Sequence, residues 1–379
     1  MPKIAIYAIC KNESKFVEKF YESCKEADYI VVADTGSTDD TKTKLKALPN
    51  TIVGDIVIDP WRFDYARNAS LELIPKDTDI FVCLDLDEIL KPGWRKKLED
   101  ACTPGKTRFR YKYTWNWKPD GTPDVQYNGD KIHCKGYHWH HPVHEILKWN
   151  GDGPEEFGWS DLEIEHYADN SKPRSHYLGL LELAVREDQE DDRNAHYLGR
   201  EYYFVGRHLD AINELKRHLA LPRAQWDAER AASMRYISDC YNTLKDQKQR
   251  ISWALRAIAE APSHREPWTT LAQAYYDNKD YLGGYYAAKH ALDIKDRQNS
   301  YLTKGDAWGA LPYDLAGTCA YYVGLHLEAY ELTLRAYRIN PNDVRVQGNV
   351  KFMEEYIRDN LGQNATDVIE HTKKVVTLE

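Results

Sequence analysis

The run Lys3 to Cys10 (KIAIYAIC) is almost wholly apolar, the pattern of a strand covered on both faces. Lys11-Asn12-Glu13-Ser14 breaks it, and Phe16, Val17, Phe20 and Tyr21 then recur at helical spacing. A second apolar run, Tyr29 to Ala33, ends in Asp34-Thr35-Gly36-Ser37-Thr38-Asp39-Asp40-Thr41, and a helix is predicted to follow with Asp40 or Thr41 at its cap. Ile52 to Ile58 predicts a third strand, Trp61 to Leu73 a helix, and Ile80 to Leu84 a fourth strand that stops abruptly at Asp85-Leu86-Asp87-Glu88. Strands alternating with helices predict a mostly parallel α/β sheet. Ligands of such sheets bind beyond the carboxyl ends of the strands, where Cys10-Lys11-Asn12, Asp34-Thr35-Gly36 and Asp85-Leu86-Asp87 converge.

The middle of the chain has another texture. Thr107 to Trp117 (TRFRYKYTWNW) alternates with a period of two and predicts a half-buried strand, followed by a hairpin-like Lys118-Pro119-Asp120-Gly121. His133, His138, His140, His141 and His144 crowd the next stretch, and His166 follows in Ile164-Glu165-His166-Tyr167. Their spacing matches no structural zinc pattern. From His176 onward strand-like runs vanish. Tyr203, Tyr241, Tyr276 and Tyr322 lie 38, 35 and 46 residues apart in four similar segments, the last interval lengthened by an insertion from Lys295 to Trp308. Paired short helices at periods near 34, with small residues at the crossings and Pro262 and Pro341 at repeat ends, resemble tetratricopeptide repeats. The expected architecture is an α/β domain over residues 1–174 followed by an all-α repeat domain over 175–379.

A length of 379 residues accommodates two domains, and a formal net charge of -9 argues against broad binding to nucleic acid or anionic membranes. Seven scattered Cys with no Cys-x-x-Cys fit reduced thiols and a cytoplasmic location. No signal peptide or spanning apolar run is predicted.

Asp85 and Asp87 stand two apart at the tip of a buried strand, so both can address one ligand. Hard divalent cations take oxygen ligands and share them with substrate phosphates. An isolated Asp-x-Asp is more often a polar turn, so its surroundings must decide.

Those surroundings carry a resemblance. IAIYAICKNES, DTGSTDDT, FDYARNAS and CLDLDEIL, in that order and spacing, resemble the family 2-like glycosyltransferases of the GT-A fold, over roughly the first 170 residues. The resemblance implies a nucleotide-sugar donor, a divalent metal (Mn²⁺ or Mg²⁺) and inversion at the anomeric carbon. It places Ala8, Cys10 and Asn12 against the nucleotide base, with Asp34 accepting a hydrogen bond from it. It places Arg67 on the nucleotide, with Asp64 fixing its guanidinium, and Asp85 on the ribose. Asp87 and His166 become the metal ligands, Glu145 the general base with His144 as competitor, and Lys172 and Arg174 reach the diphosphate. Many relatives carry Asp-Asp-Gly-Ser where this chain has Asp-Thr-Gly-Ser, which leaves base selectivity open. Asp34 and Ser37 are also ordinary turn and capping residues.

The favoured expectation is a hexosyltransferase using a UDP-sugar, with UDP-glucose first by family frequency. The repeats are expected to capture an acceptor (protein, glycan or small molecule) or to pair two copies of the chain. The alternative is a non-catalytic repeat adaptor whose α/β domain binds nucleotide without turnover. A nucleotidyltransferase would want a Gly-rich basic loop after the first strand, which Lys11-Asn12-Glu13-Ser14 is not.

Overall fold

The computed structural model describes residues 1–118, 120–169 and 177–378. The chain divides into two compact units: Met1–Glu187 with Asn299–Tyr301, and Asp188–Gln298 with Leu302–Glu379. The helix Tyr177–Glu187 therefore groups with the first unit, whereas the change of sequence texture places the boundary at residue 174.

In the first unit β1 (Ile4–Cys10), β2 (Tyr29–Asp34), β3 (Thr51–Asp55) and β4 (Ile80–Cys83) alternate with α1 (Val17–Cys24), α2 (Thr41–Lys46) and α3 (Phe63–Glu72). Next come β5 (Glu88–Leu90), α4 (Trp94–Ala101), β6 (Arg108–Thr114), β7 (Gln126–His133), β8 (Tyr137–His140), β9 (Ile146–Trp149), β10 (Phe157–His166) and α5 (Tyr177–Glu187). Eight strands form one mixed sheet in the order β3-β2-β1-β4-β7-β6-β10-β5, and β8 and β9 form a separate hairpin. Strands β3, β2, β1 and β4 run parallel, as their apolar runs predict, whereas β7 pairs antiparallel with both β4 and β6.

Alternation in β1 fills two cores at once. Ile4, Ile6 and Ala8 pack with Val17, Phe20 and Trp94 on one face, and Ala5 and Tyr7 pack with Ile74, Tyr137 and Trp139 on the other. Such double coverage holds the loops after β1, β2 and β4 on a rigid base.

The second unit is a series of antiparallel helix pairs: α6 (Asp192–Phe204) with α7 (His208–Ala220), α8 (Asp227–Thr243) with α9 (Gln247–Glu260), α10 (Arg265–Asp277) with α11 (Tyr281–Asp293), and α12 (Leu311–Tyr322) with α13 (His326–Ile339). A fifth pair, α14 (Val344–Leu361) with α15 (Ala365–Leu378), lies beyond the four repeats legible in sequence. The four pairs share one turn. The chain leaves each first helix through a left-handed residue, at Gly206, Lys245, Lys279 and Gly324, with φ of 78°, 62°, 61° and 86°. This conformation satisfies the last carbonyls of a helix while reversing direction. Small residues bring neighbouring helices close, within a pair and between pairs. A β-carbon on Gly199 would stand 2.6 Å from Leu215, one on Gly284 2.7 Å from Cys319 Sγ, and one on Gly317 2.8 Å from Thr333 Oγ1. The seven cysteines are all free, and among the described residues no helix is long and apolar enough to cross a membrane.

Candidate active site

The loops after β1 and β2 are stapled by side chains. Asn12 adopts φ 56°, and its Oδ1 accepts from Thr38 N at 2.7 Å and Asp39 N at 3.3 Å, while its own N–H donates to Ser37 Oγ at 2.9 Å. Asp34 Oδ1 accepts from the N–H groups of Gly36 and Ser37 at 3.0 and 2.9 Å, and Cys10 Sγ donates to Oδ2 at 3.4 Å. Burial opposes the Asp34 charge, and the donors of Ser37 and Gly36 outweigh it, holding the carboxyl below its usual range. The structure thus gives Asn12 and Asp34 a loop-closing role. Ala8 lies wholly inside the core and has no surface with which to meet a base.

The next loops carry a ladder of alternating charge. Arg67, on α3 and with its side chain only 5% exposed, donates through Nε to Glu145 Oε1, through Nη2 to Asp85 Oδ1 at 2.9 Å, and through Nη1 to Cys83 Sγ at 3.2 Å. Lys131 Nζ, from β7, lies 3.8 Å from Asp85 Oδ2 and 3.4 Å from Glu88 Oε1. Glu88 in turn accepts from Tyr113 Oη at 2.5 Å and, through Oε2, from Asp85 N–H at 2.9 Å. Burial penalises the Asp85 charge, but Arg67 and then Lys131 more than compensate, so its pKa falls well below the usual carboxylate range. Burial pushes the Cys83 thiol up to about 11, which keeps it a neutral acceptor for Arg67.

Asp64 does not fix Arg67. It binds Arg62 through two bonds, Nε to Oδ1 at 3.0 Å and Nη2 to Oδ2 at 2.8 Å, because Arg67 lies one turn deeper on α3 and is already held by Glu145 and Asp85. Glu145 reaches Arg67 because Asn68, the next residue of α3, pins the β8–β9 hairpin. Its Nδ2 donates to Trp139 O at 2.9 Å and its Oδ1 accepts from Trp139 N at 2.8 Å. Sequence reasoning missed Lys131, Glu88, Tyr113 and Asn68; in Asn68 the signal was present, as part of FDYARNAS.

Asp87 and His166 meet across the loop after β4 and the end of β10, with Nε2 and Oδ2 3.4 Å apart. His166 Nδ1 lies 2.9 Å from the Trp115 carbonyl. An acceptor there requires Nδ1 to carry a proton. Burial opposes the imidazolium, but Asp87 and then the Trp115 carbonyl outweigh it and raise the His166 pKa. Nε2 therefore donates to Asp87 when protonated and offers its lone pair only once that proton is lost. Asp87 Oδ2 and His166 Nε2 are two atoms that could serve a divalent cation. Among the described residues no group of three or more His, Cys, Asp or Glu is arranged to hold an ion, so the remaining positions would fall to water and substrate oxygens.

His144 and His141 both adopt positive φ, 51° and 79°, on either side of Pro142-Val143, so the turn that delivers Glu145 stores backbone strain. Lys172 and Arg174 lie outside the described residues. Of the tryptophans, Trp139 is buried and donates to Tyr7 Oη at 2.9 Å, whereas Trp115 and Trp159 are about half exposed.

Residues 6–140 match the family described as Glycosyl transferase family 2. The first unit therefore carries a family 2-like glycosyltransferase domain, and the second is built of tetratricopeptide-like helix pairs. Solved structures similar to the chain include the MamA protein (17% identity, 45% of this chain and 85% of that one, TM-score 0.35). Others are a thermophilic TPR protein of Thermus thermophilus (16%, 46% and 88%, 0.35) and YrrB, a TPR protein with an unusual peptide-binding site (12%, 52% and 91%, 0.39). No curated protein matches the chain.

Proposed function

We propose that this chain transfers a hexose from a nucleoside-diphosphate sugar, UDP-linked by preference, to an acceptor hydroxyl with inversion at the anomeric carbon. The observation that carries this reading is the gathering of Arg67, Asp85, Asp87, Glu145 and His166 at the strand ends of a family 2-like glycosyltransferase domain.

In the proposed reaction the acceptor oxygen bonds to the anomeric carbon while the bond from that carbon to the diphosphate oxygen breaks, its electron pair leaving with the phosphate. The acceptor proton passes to a base on the opposite face. Glu145 suits that role. Arg67 grips it through Oε1 alone, which orients the carboxylate and leaves Oε2 for a hydroxyl, in the way a third group orients the base of a catalytic pair. His144 remains the neighbouring candidate. Asp85, held between Arg67 and Lys131, presents a fixed acceptor to a ribose hydroxyl. Asn12, Asp34 and Cys10 shape the base end of the site. Asp87 and His166 would hold a Mn²⁺ or Mg²⁺ ion, which when bound supplies positive charge to the leaving diphosphate.

The test is a panel of nucleotide sugars incubated with the protein and Mn²⁺, read as release of free nucleoside diphosphate. Release from one UDP-hexose supports the reading. Nucleotide binding with no release from any donor would overturn it in favour of an adaptor.

A further inference from the structure

The end of β6 and the end of β10 carry four aromatic side chains that neither core requires. Trp115 stacks on His166 with ring centroids 4.6 Å apart and planes at 20°, and Trp117 stacks on Tyr167 at 5.5 Å and 15°. The two stacks are tied together through the backbone: Trp117 Nε1 donates to the His166 carbonyl at 3.0 Å, and Tyr167 N–H donates to the Asp87 carbonyl at 2.9 Å. Each pair leaves one ring outside. Trp115 and Tyr167 are both 45% exposed although each is rigidly backed on its inner side. Carboxylates stand beside them, since Tyr167 Oη donates to Glu165 Oε2 at 2.9 Å and Asp87 faces His166.

A flat, pre-ordered ring beside hydrogen-bond acceptors is what a sugar needs, because its C–H face is apolar and its rim is hydroxyls. The nucleobase of a donor is excluded as the occupant by topology. On the proposed reading the base end of the site lies at β1 and β2, and the sheet order places β6 three strands from β1, about 14 Å at ~4.8 Å per strand. The rings stand instead against the Asp87–His166 pair, Trp115 on the His166 ring itself. On the transferase reading that pair holds the diphosphate, so the rings border the reacting anomeric carbon, where the acceptor comes in.

From this arrangement, and resting on the transferase reading above, we propose that the acceptor is a carbohydrate whose ring stacks on Trp115 and Tyr167. Selection comes from the sugar face and hydroxyl pattern, and a peptide acceptor is the competing outcome.

Calorimetric titration of the full chain, holding Mn²⁺ and UDP, with gluco-, galacto- and manno-oligosaccharides tests this directly. At least one series should bind saturably. Trp115→Ala should weaken it about tenfold, the loss of one aromatic contact of this kind, and Trp115→Phe should restore most of the affinity. Tyr167→Ala should also weaken it. UDP affinity measured on the same variants separates loss of the platform from collapse of the site, because Trp115→Phe preserves the ring that backs His166. Absence of saturable binding by any oligosaccharide, stimulation of nucleotide release by peptides only, or equal sugar affinity in Trp115→Ala and the unaltered chain would each overturn the proposal. If nucleotide release proceeds and the sugars fail, the acceptor assignment alone is lost. If no donor is turned over, the transferase reading itself is lost.

Discussion

Replacing Arg67 by Met should unsettle the whole α/β unit, and the structure sets the size. The guanidinium is 5% exposed and binds Glu145, itself only 11% exposed, together with Asp85, whose side chain is 37% exposed and keeps Lys131. Removing one member of a buried ion pair strands the other and costs about 3–5 kcal/mol. Asp85 adds little to this, since solvent and Lys131 still screen it, so the expected loss lies near about 3 kcal/mol and comes mainly from Glu145. Native-state hydrogen exchange at the amides of β1 and β4 reads opening of this unit without interference from the helical one. The most protected amides should exchange roughly 100-fold faster in Arg67→Met. Adding Glu145→Gln should recover part of the loss, because a neutral amide strands no charge. Protection changed by less than about tenfold would mean that Glu145 is solvated rather than held by Arg67, and the charge ladder would fail as a description of the site.

Three further outcomes follow from the same geometry. Burial lowers the pKa of His196 to about 3 and of His133 to about 4, so both are neutral in the folded chain, whereas the unfolded chain protonates them near the ordinary value of 6.5. Stability is then full above pH ~6.5 and falls as pH drops toward 4, by up to about 1.4 kcal/mol per pH unit for each histidine; urea midpoints at pH 7 and 5 check this, and His196→Gln should flatten the helical unit's share. Asp87→Ala should abolish Mn²⁺-dependent UDP binding measured by titration, and an unchanged affinity would remove Asp87 from the metal site. Gly317→Ala should destabilise the α12–α13 pair by about 1–3 kcal/mol despite the better helix propensity of Ala. Its β-carbon would meet Thr333 Oγ1 at 2.8 Å, Thr333 N at 3.1 Å and Ala329 O at 3.2 Å, two of which are backbone atoms that cannot step aside; a midpoint equal to that of the unaltered chain would refute the close crossing.

What was legible in the sequence was whatever is local. Apolar runs of five to seven residues gave β1 and its neighbours β2 and β4, and the three strand-end loops were gathered by topology at one edge of the parallel strands. The repeats were legible because tyrosines recur in paired helical segments at intervals near 34, and α14–α15 was missed because it carries a single tyrosine, Tyr356, and no segment like the other four. The partners of the charged residues were not legible, because antiparallel β7 inserts between β4 and β6 and delivers Lys131 to Glu88 from 43 residues away. No periodicity encodes such a pairing. The same holds for Asp64, which sequence proximity allows to reach either Arg62 or Arg67 and which helix geometry gives to Arg62.

Glu88 looked idle at the end of Asp85-Leu86-Asp87-Glu88, and the structure makes it the anchor of that turn. One of its oxygens takes the Asp85 N–H and the other takes Tyr113 Oη and the Lys131 ammonium, so the turn is closed by its own fourth residue. The sequence Glu145–Arg67–Asp85–Lys131–Glu88 then alternates in sign along its length. Charges that neutralise one another in this way are stabilised by the low dielectric that would otherwise penalise each alone. The arrangement commits Asp85 on both of its oxygens, to Arg67 and to Lys131. Among the described residues the Asp87 side chain faces the imidazole of His166 alone, whose Nδ1–H is fixed on the Trp115 carbonyl and whose Nε2 is turned to Asp87. Two carboxylates two residues apart thus differ in what they have left to offer. That difference, set by Lys131 and Glu88 and not by the Asp-x-Asp spacing, supports the proposed division in which Asp87 would take the cation and Asp85 the sugar hydroxyl.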